Sequence, residues 1–172
     1  ADDGSKQAGR MDVILGLDIG TTEVKALTWD EAGRSHSEAA QKVRLFTPRE
    51  GWVEQDAREL WSAVVNACSR AAIAAHSAGD QICAVSISTQ GGTTIPVDAA
   101  GKPTHFAFSW MDERAGEEAG AVAERLGQEQ VYQTTGWPLT PGLPLNQIAW
   151  FGKHRPAQFE QTRRFLFVND YI

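Results

Sequence analysis

Val13-Ile14-Leu15-Gly16-Leu17-Asp18-Ile19-Gly20-Thr21-Thr22-Glu23-Val24-Lys25 is the stretch whose reading decides the fold. Residues 13–17 are an apolar, strand-like run, Asp18 to Thr22 supplies polar and glycine turn chemistry, and residues 24–29 return to strand composition. The segment therefore reads as a hairpin with a glycine-containing tip. Moving outward, Asp30-Glu31-Ala32-Gly33 is a second turn signal and residues 35–46 read as a third strand, so the chain opens as an antiparallel meander.

Asp56-Ala57-Arg58-Glu59 has the form of a capping box, an acceptor at the helix start with a carboxylate three residues later. The helix it predicts carries Leu60, Trp61, Val64, Val65, Cys68, Ala71, Ala72 and Ala75 on one face and stops near Gly79. Residues 82–88 and 93–97 read as strands, and Asp98-Ala99-Ala100-Gly101 turns the chain into a further run at 104–110. Residues 113–126 are helical in composition, 136–144 hold three prolines and two glycines and so form a loop, and 146–153 resume as a short helix.

Composition sets the outer limits. The 172 residues, 42% hydrophobic and 22% charged, suit one globular domain that buries roughly two-thirds of its unfolded surface. A net charge of −6 argues against a nucleic-acid partner. Cys68 and Cys83 are too few and too isolated for a disulfide framework and are expected to be reduced and buried. There is no apolar run of membrane-spanning length and no signal-peptide core, which points to the cytoplasm. Residues 1–10 are polar and aperiodic, with Met11 just before the first strand, and are expected to be a cloning remnant preceding a domain at 11–172.

Asp18, Gly20, Thr21 and Thr22 are the first candidate site. A carboxylate at a strand end beside a glycine turn and two hydroxyls can offer backbone N–H groups to phosphate oxygens, with Gly20 permitting close approach. Asp18 would face the phosphates with Mg²⁺, which favours one or two carboxylates together with water and phosphate oxygens. A plain hairpin needs the same residue types, so turn geometry alone also accounts for them. His36, His76, His105 and His154 are scattered without zinc spacing, and no G-x-x-x-x-G-K-[ST] phosphate loop occurs. Asp56 is read as a helix cap, not as half of an acid/base pair with Glu54.

Asp18-x-Gly20-Thr21-x-x-x-Lys25 resembles the first phosphate-binding signature of actin-like ATPase-fold kinases. It is followed in order by Gly51-Trp52-Val53-Glu54-Gln55-Asp56 with Trp61, then Ile87-Ser88-Thr89-Gln90-Gly91-Gly92-Thr93-Thr94, then Trp110-Met111-Asp112-Glu113-Arg114. Thr135-Gly136, Pro141, Ile148-Ala149-Trp150, Pro156 and Asp170-Tyr171-Ile172 continue the pattern. The ordered set is similar to the N-terminal domain of the FGGY carbohydrate kinases. The resemblance implies an α/β, ribonuclease-H-like fold, shared with actin and hexokinase, with a mixed central sheet flanked by helices.

It further implies transfer of the ATP γ-phosphoryl group, with magnesium, to a hydroxyl of a sugar or polyol bound between two such domains. Gln90, Gly91, Gly92, Trp110 and Asp112 fall where the family contacts substrate. The indole of Trp110 would cover a sugar face and Asp112 would accept hydroxyl hydrogen bonds; alternatively, Trp110 is core and Asp112 pairs with Arg114 at the surface. Glycerol kinases carry Arg-Glu in place of Gly91-Gly92 and a tyrosine at Gly142, and xylulokinases usually carry Met-His at the glycine pair, so neither substrate carries over. In this family a second-domain aspartate is the general base. That aspartate and the adenine pocket are expected beyond Ile172, in the protein's own C-terminal domain, leaving this chain inactive alone. Homo-oligomerisation stays open, and the rival reading is a non-catalytic actin-like nucleotide-binding or scaffold module.

Overall fold

The computed structural model describes residues 10–172, so all but Arg10 of the expected cloning remnant lies outside the described residues. Along the chain run β1 (Asp12–Ile19), β2 (Glu23–Trp29), β3 (Ser35–Lys42), β4 (Glu54–Gln55), α1 (Ala57–Ser77), β5 (Gln81–Thr89), β6 (Ile95–Val97) and β7 (Ala107–Phe108). Then follow α2 (Gly116–Leu126), α3 (Gln128–Thr135), α4 (Pro144–His154), α5 (Pro156–Gln161), β8 (Arg164–Leu166) and α6 (Val168–Tyr171). The chain divides into two compact units.

The first unit comprises the described residues up to Val43 together with Trp61–Thr89. Its sheet has four strands in the order β3-β2-β1-β5, antiparallel through the first three and parallel between β1 and β5. The predicted meander is therefore present, and a parallel return through a helix completes a mixed sheet. Strand periodicity decides which side is core: Val13, Leu15, Leu17 and Ile19 are buried, while Ile14 and Asp18 alternate onto the open face. Each buried Val, Leu or Ile contributes about 1.5–3 kcal/mol.

Helix α1 buries Ala63, Val64, Ala67, Ala71 and Ala75, a stripe of mostly small side chains. Trp61 and Val65, placed on the packed face by spacing, are exposed instead, because the buried stripe is narrower than the apolar one. A buried hydroxyl pair joins sheet to helix: Thr28 Oγ1 lies 2.7 Å from Ser37 Oγ, which donates to the Ala71 carbonyl at 2.9 Å. Asp56 caps α1 through the Arg58 N–H at 2.9 Å, whereas Glu59 forks onto Arg44 and does not close the box. Cys83 is exposed, contrary to expectation, because it sits on β5 at the sheet edge; Cys68 is partly buried, which pushes its thiol pKa up.

One charged cluster in this unit makes stability depend on pH. His36 Nδ1 lies 3.0 Å from Asp80 Oδ2, and its Nε2 lies 3.2 Å from Asp30 Oδ2. Asp30 also accepts the Arg34 backbone N–H at 2.9 Å and its guanidinium at 2.8 Å, which hold its carboxyl far below the usual range. Arg10 and His76 line the same recess as Asp80. Hydrogen bonding to Asp30 foremost, then to Asp80, raises the His36 pKa above 6.5, against the pull of partial burial. Folding thus favours the imidazolium, so the cluster's contribution is complete below the unfolded pKa of about 6.5 and is lost as pH rises through the folded one. His36→Gln is expected to flatten the decline of Tm as pH rises through that window; parallel Tm profiles for variant and wild type would show that His36 carries no such contribution.

The second unit comprises Arg44–Leu60 and Gln90–Ile172. Two short antiparallel pairs, β4 with β7 and β6 with β8, accompany the helices. The core gathers Phe108, Ala115, Trp150 and Phe151, with Trp52 and Phe165 packed against it. Pro144 opens α4 where a missing N–H costs nothing. Gln147, fully buried on that helix, accepts from Thr94 Oγ1 at 2.7 Å and donates to the Ser109 carbonyl at 2.8 Å. The run expected at 104–110 pairs only at β7, and α2 starts three residues later than its composition suggests.

Candidate phosphate hairpin and acceptor wall

Asp18 is the second-to-last residue of β1, in register with Lys25 on β2 and Ser88 on β5. Alternation carries its carboxylate to the open face, opposite Leu15, Leu17 and Ile19. At the tip, the Gly20 N–H donates to the Glu23 carbonyl at 3.0 Å, and a Cβ on Gly20 would stand 2.9 Å from that oxygen. Gly20 therefore shapes the turn, with its own amide spent inside the hairpin. The Thr22 carbonyl accepts the Val43 N–H at 2.8 Å, fastening the tip to the segment after β3. Lys25 sits at the surface, its Nζ 3.8 Å from Glu23 Oε2. Among the described residues no three His, Cys, Asp or Glu side chains form a metal cage. Asp18 is a single open carboxylate, the donor type that suits a Mg²⁺ ion keeping its waters and phosphate oxygens.

Gln90, Gly91, Gly92, Trp110 and Asp112 lie in the other unit. Gln90 Nε2 donates to Gln55 Oε1 at 2.9 Å, Gln90 Oε1 accepts from Thr93 Oγ1 at 3.1 Å, and that hydroxyl accepts the Trp110 N–H at 3.4 Å. Gln55 and Thr93 are fully buried, so this relay anchors the start of the Trp110 loop. Gly91 is exposed with no heavy atom within 4 Å of where a Cβ would sit. Gly92 has φ +76°, and a Cβ there would press on the Trp110 Cβ at 3.1 Å. The Trp110 side chain remains half exposed, at 50%.

Asp112 is placed differently from its expected role as a hydroxyl acceptor. It is fully buried; Oδ2 accepts the Val53 N–H at 2.6 Å and Arg114 Nη2 at 2.8 Å, while Oδ1 accepts the Arg114 N–H at 3.0 Å and Nε at 2.8 Å. With both oxygens doubly engaged, it braces the loop. Arg114, its side chain 0% exposed, also bonds Glu54 at 2.8 Å and lies 3.9 Å from the Trp52 ring centroid and 5.0 Å from those of Phe108 and Trp150. Its Nη1 is buried without a hydrogen-bond partner. Sequence reasoning missed this aromatic-lined guanidinium, for which the Trp52, Asp112 and Arg114 spacing was the available signal, and it missed the close approach of Gly142 to Trp110.

A mixed sheet whose parallel crossover leads from a glycine hairpin, with its carboxylate on the open face, is the sugar-kinase form of the actin and hexokinase ATPase fold. The chain belongs to the FGGY family of carbohydrate kinases: the family's N-terminal domain matches residues 13–172. A glycerol kinase from Acinetobacter baylyi is 36% identical over 141 residues, covering 81% of this chain and 28% of that protein. A gluconokinase from Bacillus subtilis is 30% identical over 159 residues, covering 92% and 31% respectively. The crystal structure of xylulose kinase from Rhodospirillum rubrum superposes with a TM-score of 0.89 at 22% identity, over 93% of this chain and 33% of that one, a likeness of fold. The chain thus spans about a third of the length of these relatives. No helix among the described residues is long and apolar enough to cross a membrane.

Proposed function

We propose that the whole protein transfers the γ-phosphoryl group of ATP to a hydroxyl of a sugar or polyol, and that this chain supplies the phosphate hairpin and one wall of the acceptor site. The observation that carries this reading is Asp18 on the open sheet face beside a sterically closed Gly20 turn, in a chain of this family. Asp18 would hold Mg²⁺ bound with ATP, and the ion would supply neutralisation of the charge on the transferring group. Thr21 and Thr22 would donate from the tip, while Gly20 keeps the turn tight enough for phosphate to approach. In the other unit, Gln90 and the Trp110 ring would orient the acceptor hydroxyl, since such transfer depends on positioning more than on covalent help from the protein.

The general base and the adenine pocket belong, on this reading, to the C-terminal remainder of the protein. A cytoplasmic setting accords with the free thiols of Cys68 and Cys83. The test is an ADP-release assay on the whole protein with Mg-ATP and a panel of polyols, ketoses and aldonates. At least one acceptor should be phosphorylated, and folded protein that phosphorylates none with magnesium present would refute the proposal.

A further inference from the structure

Two parallel strands end side by side, and the open face of the sheet carries a polar residue at the same place on each. Asp18 is second-to-last in β1 and Ser88 is second-to-last in β5; the two are partners in the parallel register, and both are exposed. Residues in register share a face, so Ser88 stands beside Asp18 at the spacing of neighbouring strands, about 4.8 Å. The Ser88 hydroxyl makes no hydrogen bond among the described residues. On its other side Asp18 is in register with Lys25, whose Nζ lies 3.8 Å from Glu23 Oε2. The other β5 residues on this face are small, with Ala84 opposite Ile14 and Ser86 opposite Gly16. The Trp29 indole lies against Gly16, its Nε1 3.8 Å from where a Cβ would stand, so the face is occupied one pair back while Asp18 and Ser88 are exposed at the strand ends.

We infer that Ser88 is a positioning residue of the phosphate site, a second hydrogen-bond acceptor beside Asp18 for the hydrated magnesium ion that accompanies ATP. This deepens the proposed function and rests on it. In open α/β sheets ligands bind outside the carboxyl ends of the parallel strands, which is where this pair stands. Mg²⁺ held through one or two carboxylates keeps several of its waters, and each of these, with a lone pair turned to the ion, has two hydrogens to place. A lone carboxylate at the strand end takes one. A hydroxyl on the adjacent strand takes the other without adding charge, and its own hydrogen remains for Asp18 or a phosphate oxygen. A long side chain at position 88 would fill the room beside Asp18, and serine leaves it.

The test uses the whole protein and reads binding apart from turnover. A non-hydrolysable ATP analogue is titrated by calorimetry with and without Mg²⁺, and the ratio of the two affinities gives the gain that magnesium brings. Ser88→Ala and Ser88→Val should each shrink that gain by about three- to tenfold, the range for one lost hydrogen bond, with the magnesium-free affinity unchanged. Both should lower kcat by a similar factor while acceptor KM stays within about twofold. Ser88→Thr, which restores the hydroxyl on the β-branched frame of valine, should stay within about twofold of wild type in the gain and in kcat. Ser86→Ala, on the same face opposite Gly16, is the control and should change neither. A Ser88→Val protein with the wild-type magnesium gain, or a Ser88→Thr protein as impaired as Ser88→Val, overturns this inference while the proposed function stands. A wild-type protein that phosphorylates no acceptor takes down both.

Discussion

Asp18→Asn in the whole protein is expected to lower kcat by about two orders of magnitude or more, with a smaller effect on acceptor KM. The two side chains have nearly the same shape, so the change removes charge with little loss of packing. Asp18 is exposed, and its carboxylate makes no hydrogen bond among the described residues, so the fold loses little with it. What goes is the negative charge that organises the metal around the transferring phosphoryl, an interaction worth most in the transition state and therefore read in kcat. Steady-state kinetics with saturating acceptor and varied Mg-ATP are the measurement. Turnover at the wild-type level would reduce the Asp18 hairpin to turn geometry.

Asp112→Ala should destabilise the chain by about 3–5 kcal/mol, the scale for breaking a buried ion pair from one side. The cause is the guanidinium left behind. Arg114 would keep its aromatic surroundings and Glu54 but lose both guanidinium bonds and its backbone N–H bond to Asp112, and the Val53 N–H would lose its acceptor. Its Nη1 already lacks a hydrogen-bond partner, so the arginine has no spare satisfaction to draw on. Urea unfolding of variant and wild type measures the change. A loss under about 1 kcal/mol would place Asp112 among surface pairs in its energetics and would restore the expectation that it serves the acceptor.

The first unit was largely legible because strand signals are local. Period-two alternation in β1 and the turn chemistry at Gly20 and Gly33 specify the meander without knowledge of any distant residue. Short elements such as β4, β8 and α6 were not, since two to four residues carry no period and owe their form to partners far along the chain. The hairpin residues Asp18, Gly20, Thr21 and Thr22 are gathered at one tip as read, although the Gly20 amide turns inward. Asp112 was harder, because an aspartate two residues from an arginine looks the same in sequence whether the pair is exposed or enclosed by Trp52, Phe108 and Trp150. Burial decides its role, and much of the burial of that loop comes from residues far along the chain, such as Trp52 and Trp150 around Arg114.

The sheet edge at β5 has a consequence for any preparation of this chain. Gln81–Thr89 is rich in β-branched and small residues, and its Val85 is 58% and its Ile87 50% exposed. Val85 and Ile87 stand in register with Leu15 and Leu17, so they extend the packed face past its cover. A strand of this composition, which has no further strand along its outer side among the described residues, is a template for pairing with another extended chain. Solubility of the piece is thereby a matter of concentration and of competing strands, and charged residues grafted at 85 and 87 are the natural gatekeepers for handling it.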